Sequence, residues 1–208
     1  MTFITLRQAA DRFDISLAAL RKLAAAGLLP VAGHPGAAQV IPENVARRIA
    51  HRSHVTPRLL STPARTNTIA VLRVDVAKPV PAEDRPYIGF HADLAPEHLL
   101  EALRGWWVGN PEKIARAGVL PVTLGGFVVA VLTGLGDWDS RSTGDGPIRH
   151  RFDARLAGYI TDLDAPANAV RSGSPGDLRI AERVLGKRLT SNSGGPIAYL
   201  TFQSQSQT

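Results

Sequence analysis

Residues 119–135, VLPVTLGGFVVAVLTGL, constrain this chain more than any other stretch. Two apolar runs of strand length flank Gly125-Gly126, and a glycine pair in that position reads as a β-hairpin. Around it, IAVLRVDV from residue 69 reads as a strand. APEHLLEALRGWWV reads as an amphipathic helix with Leu99, Leu103 and Trp106 or Trp107 inward, and NPEKIARAG as a short capped helix. IRHRFDARL alternates, with Arg149, Arg151 and Arg155 on one face. DLRIAERVLGKRL is a helix turning Leu178, Ala181, Val184 and Leu185 inward, and PIAYLTF is a last strand. Strands joined mostly by hairpins, with helices between them, predict an α+β arrangement. Its sheet is expected to be mixed, largely antiparallel and barrel-like.

The first third of the chain is different in kind. Of the formal charge of +6, all of it falls in residues 1–65, which hold nine Arg or Lys and three Asp or Glu. A local basic excess is the electrostatic footprint of phosphate contact, with a solvated basic face as the plainer alternative. Thr5 precedes LRQAADRF, where Leu6, Ala9, Ala10 and Phe13 recur at helical spacing, so Thr5 is a natural N-cap. Ser16 caps a second helix, LAALRKLAAA, with Leu17, Leu20, Leu23 and Ala24 on one face and Gly27 placed to end it. LLPVAGHPGAAQVI then reads as two short strands around a Gly/Pro turn, and Pro42 opens a third helix, PENVARRIAHR, in its first turn.

Two short helices across a tight turn, a turn-linked strand pair and a third helix together resemble the winged helix-turn-helix of the MerR/excisionase type over residues 3–53. The resemblance implies that the helix from Leu17 is a recognition helix whose N-terminal part faces the DNA major groove. Ser16, Ala18, Ala19, Arg21 and Lys22 are then the exposed candidates. Arg21 or Lys22 suit guanine or phosphate, and the alanines suit the methyl of thymine or 5-methylcytosine. His34 at the wing tip and Arg47, Arg48, Arg52 and Arg58 beyond it are further candidates for DNA. Two departures stand out: GHPGAAQVI lacks the arginines that wings of this family carry, and the family's long dimerisation helix is replaced by SHVTPRLLSTPARTNT. That Pro/Ser/Thr-rich stretch is read as a linker over residues 54–67.

The order of a helix with Trp, a hairpin with central GG, a Trp after it, an R-x-R-F strand and LGK…GGPIAYL resembles the PUA-like superfamily, its ASCH/EVE-like group in particular, over residues 68–203. That likeness implies a small curved barrel that binds nucleic acid, with branches that take a modified base into an aromatic pocket. Candidate walls are Tyr87, Phe90, Trp106, Trp107, Trp138 and Phe152. Asp137 and Asp139, flanking Trp138 in GDWDS, suit an exocyclic amino group, and Arg149 and Arg151 suit phosphates. Most aromatic residues in a domain of this size belong to its core, and Trp138, in a polar loop, is the exception.

Nothing in the chain reads as catalysis. There is no cysteine, and six scattered histidines lack the close pairing of a zinc site. There is no nucleophile elbow and no phosphate-cradling glycine loop. The expectation is a non-enzyme without cofactor or metal, and the sequence shows neither a membrane span nor a secretory signal at its start. It is expected in the cytoplasm, associated with the nucleoid, with residues 204–208 as a disordered tail. The expected partner is double-stranded DNA, with 5-methylcytosine the favoured modification. A MerR-like regulator whose second domain senses a small-molecule ligand is the alternative, and an RNA-binding second domain a third reading. Monomer and dimer both stay open.

Overall fold

The first helices start where side chains can satisfy their leading N–H groups. In the computed structural model, which describes residues 2–33, 38–56, 59–60, 67–81, 83–142, 144–191 and 195–201, strand β1 (Phe3–Thr5) leads directly into α1 (Leu6–Phe13). The Thr5 hydroxyl accepts from the Gln8 N–H at 3.1 Å and Gln8 Oε1 accepts from the Thr5 N–H at 2.8 Å, a reciprocal cap. Asp14 turns the chain in a left-handed conformation at φ 51°, and Ser16 Oγ accepts from the Ala19 N–H at 3.4 Å to start α2 (Leu17–Ala25). Leu20, Leu23 and Ala24 form the buried face of α2, as their spacing predicts.

The expected strand pair after α2 is present in part. Ala32 and Val40 exchange both backbone hydrogen bonds at 2.9 Å, while β2 (Val40–Pro42) pairs antiparallel with β1 on its other side. The sequence reading missed β1, whose three residues are too short for periodicity to register. Pro42 sits one residue earlier than expected. It is the N-cap of α3 (Glu43–Ala50), because β2 runs through it opposite Phe3. The tip between these strands, with His34, lies outside the described residues.

The remaining elements are β3 (Thr68–Arg73), β4 (Lys78–Pro79), β5 (Tyr87–Ile88), α4 (Pro96–Arg104), α5 (Pro111–Ala117), β6 (Val119–Leu124), β7 (Phe127–Thr133) and β8 (Trp138–Arg141), followed by β9 (Arg149–Phe152), β10 (Arg155–Tyr159), β11 (Val170–Arg171), α6 (Pro175–Val184) and β12 (Ile197–Thr201). Six strands form one sheet in the order β11-β10-β7-β6-β3-β12, in which β3 and β6 are parallel and the other neighbours antiparallel. The mixed, largely antiparallel character is therefore as expected; the barrel is not. Among the described residues the sheet stays open, with β11 and β12 as its two edges. β11 is only two residues long, and β8 and β9 pair with each other in a separate two-stranded sheet.

Every residue of β6 and β7 is buried. Unbroken burial means cover on both faces of the sheet. α5 packs on β3 and β6, α6 on β7 and β10, α4 on β10, and α2 on β6. Two details of the α helices differ from expectation. Gly105 ends α4, so Trp106 and Trp107 lie beyond the helix although both are buried, and Leu178 is an exposed rather than an inward residue of α6. A Cβ on Gly105 would stand 2.6 Å from Arg151 Cβ, so this close passage of two backbones requires glycine.

The first fifty residues are not a separate bead on a linker. One contiguous cluster of buried side chains runs from Ile4, Leu20 and Ile49 through Val122 and Val129 to Ile197. The Ala92 N–H donates to Ala26 O at 2.9 Å and the Leu163 N–H to Leu28 O at 3.0 Å. The segment read as a linker is docked where it is described. The Val55 N–H donates to Arg188 O at 2.8 Å, the Arg188 N–H to Ser53 O at 3.0 Å, and Leu60 is fully buried.

This continuity predicts one cooperative transition. All three tryptophans lie beyond residue 100, yet Leu20→Ala, which empties a fully buried site in α2, is expected to lower stability by about 2–5 kcal/mol. Urea unfolding followed by tryptophan fluorescence should shift by the same midpoint as far-UV circular dichroism. An unmoved fluorescence transition would show that the first fifty residues unfold on their own.

Candidate nucleic-acid interface

α2 is held with one face outward. Ser16, Ala18, Arg21 and Ala25 are exposed, and Arg21 makes no ion pair among the described residues. The neighbouring positions are occupied within the molecule. Ala19 packs against the turn of the β6–β7 hairpin. Gly125 there has φ +59°, and a Cβ on it would meet Ala19 Cβ at 3.1 Å and Ala19 O at 3.2 Å. Lys22 Nζ donates to Asp75 Oδ2 at 3.1 Å. Ser16, Ala18, Ala19 and Lys22 thus line one wall of an open cleft of about 790 Å³. Its other wall comes from Arg73, Gly125, Gly126 and residues 189–191.

The arginines of α3 and its C-terminal extension divide sharply. Arg47 is exposed and ion-paired to Glu43 at 3.2 Å, a carboxylate it shares with Arg12. Arg48, though exposed, is engaged within the molecule: its Nε and Nη2 donate to Asp164 Oδ1 and Oδ2 at 2.6 and 2.7 Å. Bidentate geometry of this kind is the strong form of an ion pair. Arg52 Nη2 donates to the carbonyls of Leu163 and Asp164 at 3.0 and 2.9 Å. Arg48 and Arg52 therefore fasten the N-terminal elements to the loop after β10. Arg58 lies outside the described residues.

Several candidate base-pocket residues gather around the β8–β9 hairpin, where they have partners within the protein. Trp107 is buried, its indole N–H donating to Leu103 O at 2.7 Å and the Arg85 guanidinium lying 5.2 Å from its ring centre. Trp106 donates to both oxygens of Asp84 at 3.0 and 3.2 Å beneath the Arg141 guanidinium, 4.3 Å from its ring. Trp138 is half-buried and stands opposite Phe152 across β8 and β9, ring centres 6.3 Å apart. Tyr87 faces the His98 ring at 6.0 Å. Asp137 and Asp139 are exposed, and the Asp137 carbonyl accepts from the Asp153 N–H at 2.9 Å. Arg151 donates to Glu101 at 2.8 Å and lies 3.5 Å from Asp84, and Arg149 reaches Trp106 O at 3.5 Å. Arg151 ties β9 to α4 and to the segment between β4 and β5 through two carboxylates, whereas Arg149 reaches a neutral carbonyl beyond the end of α4. The aromatic residues are packing and bracing elements here.

Comparison with protein-family models, curated proteins and solved structures finds no match to this chain.

Two charged residues stand beside the α3 arginines: Arg171, which the sequence does not single out, and Lys187, which it places on a solvated helix face. Arg171 from β11 and Lys187 after α6 share a second open groove, again of about 790 Å³, with Arg47, Arg48, His51 and Arg52. No local pattern marks either one, because they meet α3 only through the fold, more than a hundred residues along the chain. Among the described residues no three His, Asp or Glu side chains gather as metal ligands, and no helix is long and apolar enough to cross a membrane. Ser140 Oγ and His150 Nδ1 lie 2.8 Å apart as register partners on β8 and β9.

Three carboxylates at these junctions titrate below their ordinary range. For Asp164 the hydrogen bonds from Arg48 dominate, outweighing partial burial. For Asp84 the Trp106 indole N–H is the main cause. For Asp75, burial works in the opposite direction but is overcome by the Val76 N–H and Lys22. A carboxylate whose folded pKa lies below its unfolded value of about 3.9 stabilises the fold above that pH and loses the contribution as pH falls through the folded value. Urea midpoints should therefore drop between pH 5 and pH 3, and less steeply in Asp164→Asn than in the parent. Identical pH slopes for the two proteins would refute the coupling of Arg48 and Asp164 to stability.

Proposed function

We propose that this protein binds duplex DNA through α2, with Ser16, Ala18 and Arg21 on the face presented to the major groove. The observation that carries the reading is the outward face of α2. A capped helix follows a left-handed turn at Asp14, and Arg21 projects from it without an internal ion pair among the described residues. The likeness of residues 3–53 to a MerR/excisionase winged helix-turn-helix supports the same assignment, as does the placement of the whole formal excess of positive charge in residues 1–65. Ala18 and Ala25 leave room for a base edge beside Arg21, and small apolar side chains there suit thymine or 5-methylcytosine methyl groups. The base-flipping part of the expectation gains nothing from the arrangement of Trp107 and Trp138. Preference for methylated DNA, if present, belongs to the α2 face in this reading.

The second reading, a regulator whose C-terminal elements sense a small molecule, rests on a different cavity. A pocket of about 490 Å³ between α4, β10 and β11 is lined by Pro96, Leu100, Leu156, Tyr159 and Val170, a volume and apolar character that suit a ligand.

Mobility-shift titrations with matched methylated and unmethylated duplexes separate these possibilities. Arg21→Ala is expected to weaken duplex binding about tenfold, or about 1.4 kcal/mol, with the melting temperature unchanged because the side chain is exposed. Equal binding by the variant and the parent would remove α2 from the interface. Equal affinity for the two duplexes would remove the methyl preference while leaving the DNA assignment in place.

A further inference from the structure

The groove between α3 and the C-terminal elements holds cations in two different states. Arg47 and Arg48 answer Glu43 and Asp164, so their charge is largely cancelled. Among the described residues, Arg52, Arg171 and Lys187 bond only to neutral oxygens. Arg52 donates to the Leu163 and Asp164 carbonyls, and Arg171 to the carbonyls of Pro166, Ala167 and Ala169 at 3.2–3.4 Å. Lys187 Nζ donates to Ser53 Oγ at 2.8 Å. Carbonyl and hydroxyl acceptors fix the direction of a cation without neutralising it. The guanidinium Nε of both Arg52 and Arg171 is moreover buried without a hydrogen-bond partner. Against these three cations the groove lining contributes one acidic side chain, Glu182 on the exposed side of α6.

We infer that this groove is a phosphate site, built by Arg52, Arg171 and Lys187 to take a ligand that presents two or more phosphate groups. Arginine held in place by backbone carbonyls is pre-organised for a phosphate oxygen and loses little side-chain freedom on binding it. The groove has the volume of a small-ligand site yet is open along its length, so both a free polyphosphorylated molecule and the backbone of a nucleic acid present the chemistry it recognises. The segment after α6 connects it to the interface proposed above. Leu185, Gly186 and Lys187 line this groove, and Leu189, Thr190 and Ser191 line the cleft beside α2. The inference does not depend on α2 reading DNA, since neither Arg21 nor Ser16 lines the groove.

Inorganic tripolyphosphate is the probe, added to the full chain at low ionic strength and followed by calorimetric titration and thermal shift. The parent should bind it near one to one with a raised melting temperature. The double variant Arg171→Gln, Lys187→Gln should bind more than about tenfold more weakly. Glu182→Gln, on an exposed helix position, should leave the fold intact and tighten binding; unchanged affinity in that variant overturns the proposal even if the double variant fails to fold. A duplex arm identifies the source of the phosphate. If tripolyphosphate competes with duplex, and the double variant lowers the salt slope of duplex binding by about two, the groove follows a nucleic-acid backbone. If duplex binding is untouched while tripolyphosphate binding is lost, the ligand is a small polyphosphorylated molecule. Absence of tripolyphosphate binding by the parent, or equal binding by a folded double variant, rules the site out. Failure of Arg21→Ala to affect duplex binding bears on α2 alone.

Discussion

Three separate parts of the chain meet at the tip of the β6–β7 hairpin, and the cleft beside α2 and the groove beside α3 are both lined by segments that join there. Gly125 lets Ala19 of α2 approach to van der Waals contact, and Gly126 O accepts from the Leu189 N–H at 2.8 Å. One step further along, Val128 exchanges hydrogen bonds with the segment after α6, donating to Lys187 O and accepting from Gly186, both at 2.9 Å. The same segment holds Ser53 and Val55 through Arg188. The hairpin can serve as this anchor because both of its strands are buried along their whole length. A side chain at position 125 would be strained by the positive φ and would push α2 off the sheet.

Docking changes what the basic excess of the first third can do. In an isolated helix-turn-helix, Lys22, Arg48 and Arg52 would all face water and strengthen the field around it. In the folded chain Lys22 meets Asp75, Arg48 meets Asp164, and Arg52 is turned onto carbonyls of the loop after β10. Charges paired at these distances largely cancel beyond a Debye length. What stays available near α2 is Arg21, and near α3 the cations whose hydrogen-bond partners are neutral. The field that reaches a ligand is therefore narrower and more local than the formal +6 implies.

The helices of the first fifty residues, the helices of the remainder and the strands β3, β6, β7, β9 and β12 are legible in the sequence, because each carries its own cap or its own period, whereas the short β4, β5, β8 and β11 are not. Thr5 and Ser16 announce two starts and both accept the expected N–H groups, and Asn110 caps the short helix read after it, whereas α6 starts at Pro175 behind a Ser174 cap, two residues ahead of the stretch read as helix. The open sheet is not legible, since closure depends on which strand pairs which, and β8 with β9 forms a local hairpin that no periodicity distinguishes from a sheet edge. The aromatic residues mislead for a related reason. Trp138 sits in a sequence as polar as a loop, yet β8 places it opposite Phe152, and GWW after α4 folds inward because Gly105 ends the helix there. The candidate site divides in the same way. Arg21 is legible from helical spacing, whereas Arg48 looks equally free until Asp164 is brought to it across 116 residues.

The contrast between Arg48 and Arg52 shows why an arginine count is a poor guide to an anion surface. Both lie on the α3 side of the junction, four residues apart, and both reach the same loop. Arg48 ends on a carboxylate, so bringing a phosphate to it means breaking or sharing an ion pair whose two hydrogen bonds are shorter than 2.8 Å. Arg52 ends on carbonyls that compensate its hydrogen-bonding capacity without cancelling its charge. A phosphate approaching Arg52 meets a cation that the Asp164 carboxylate attracts through space but does not hydrogen-bond, and whose side chain has already lost its rotational freedom. Asp164 sets this difference by offering its side chain to one arginine and its backbone oxygen to the other. It makes Arg48 a structural fastener and leaves Arg52 as the cation that looks out into the groove with Arg171 and Lys187.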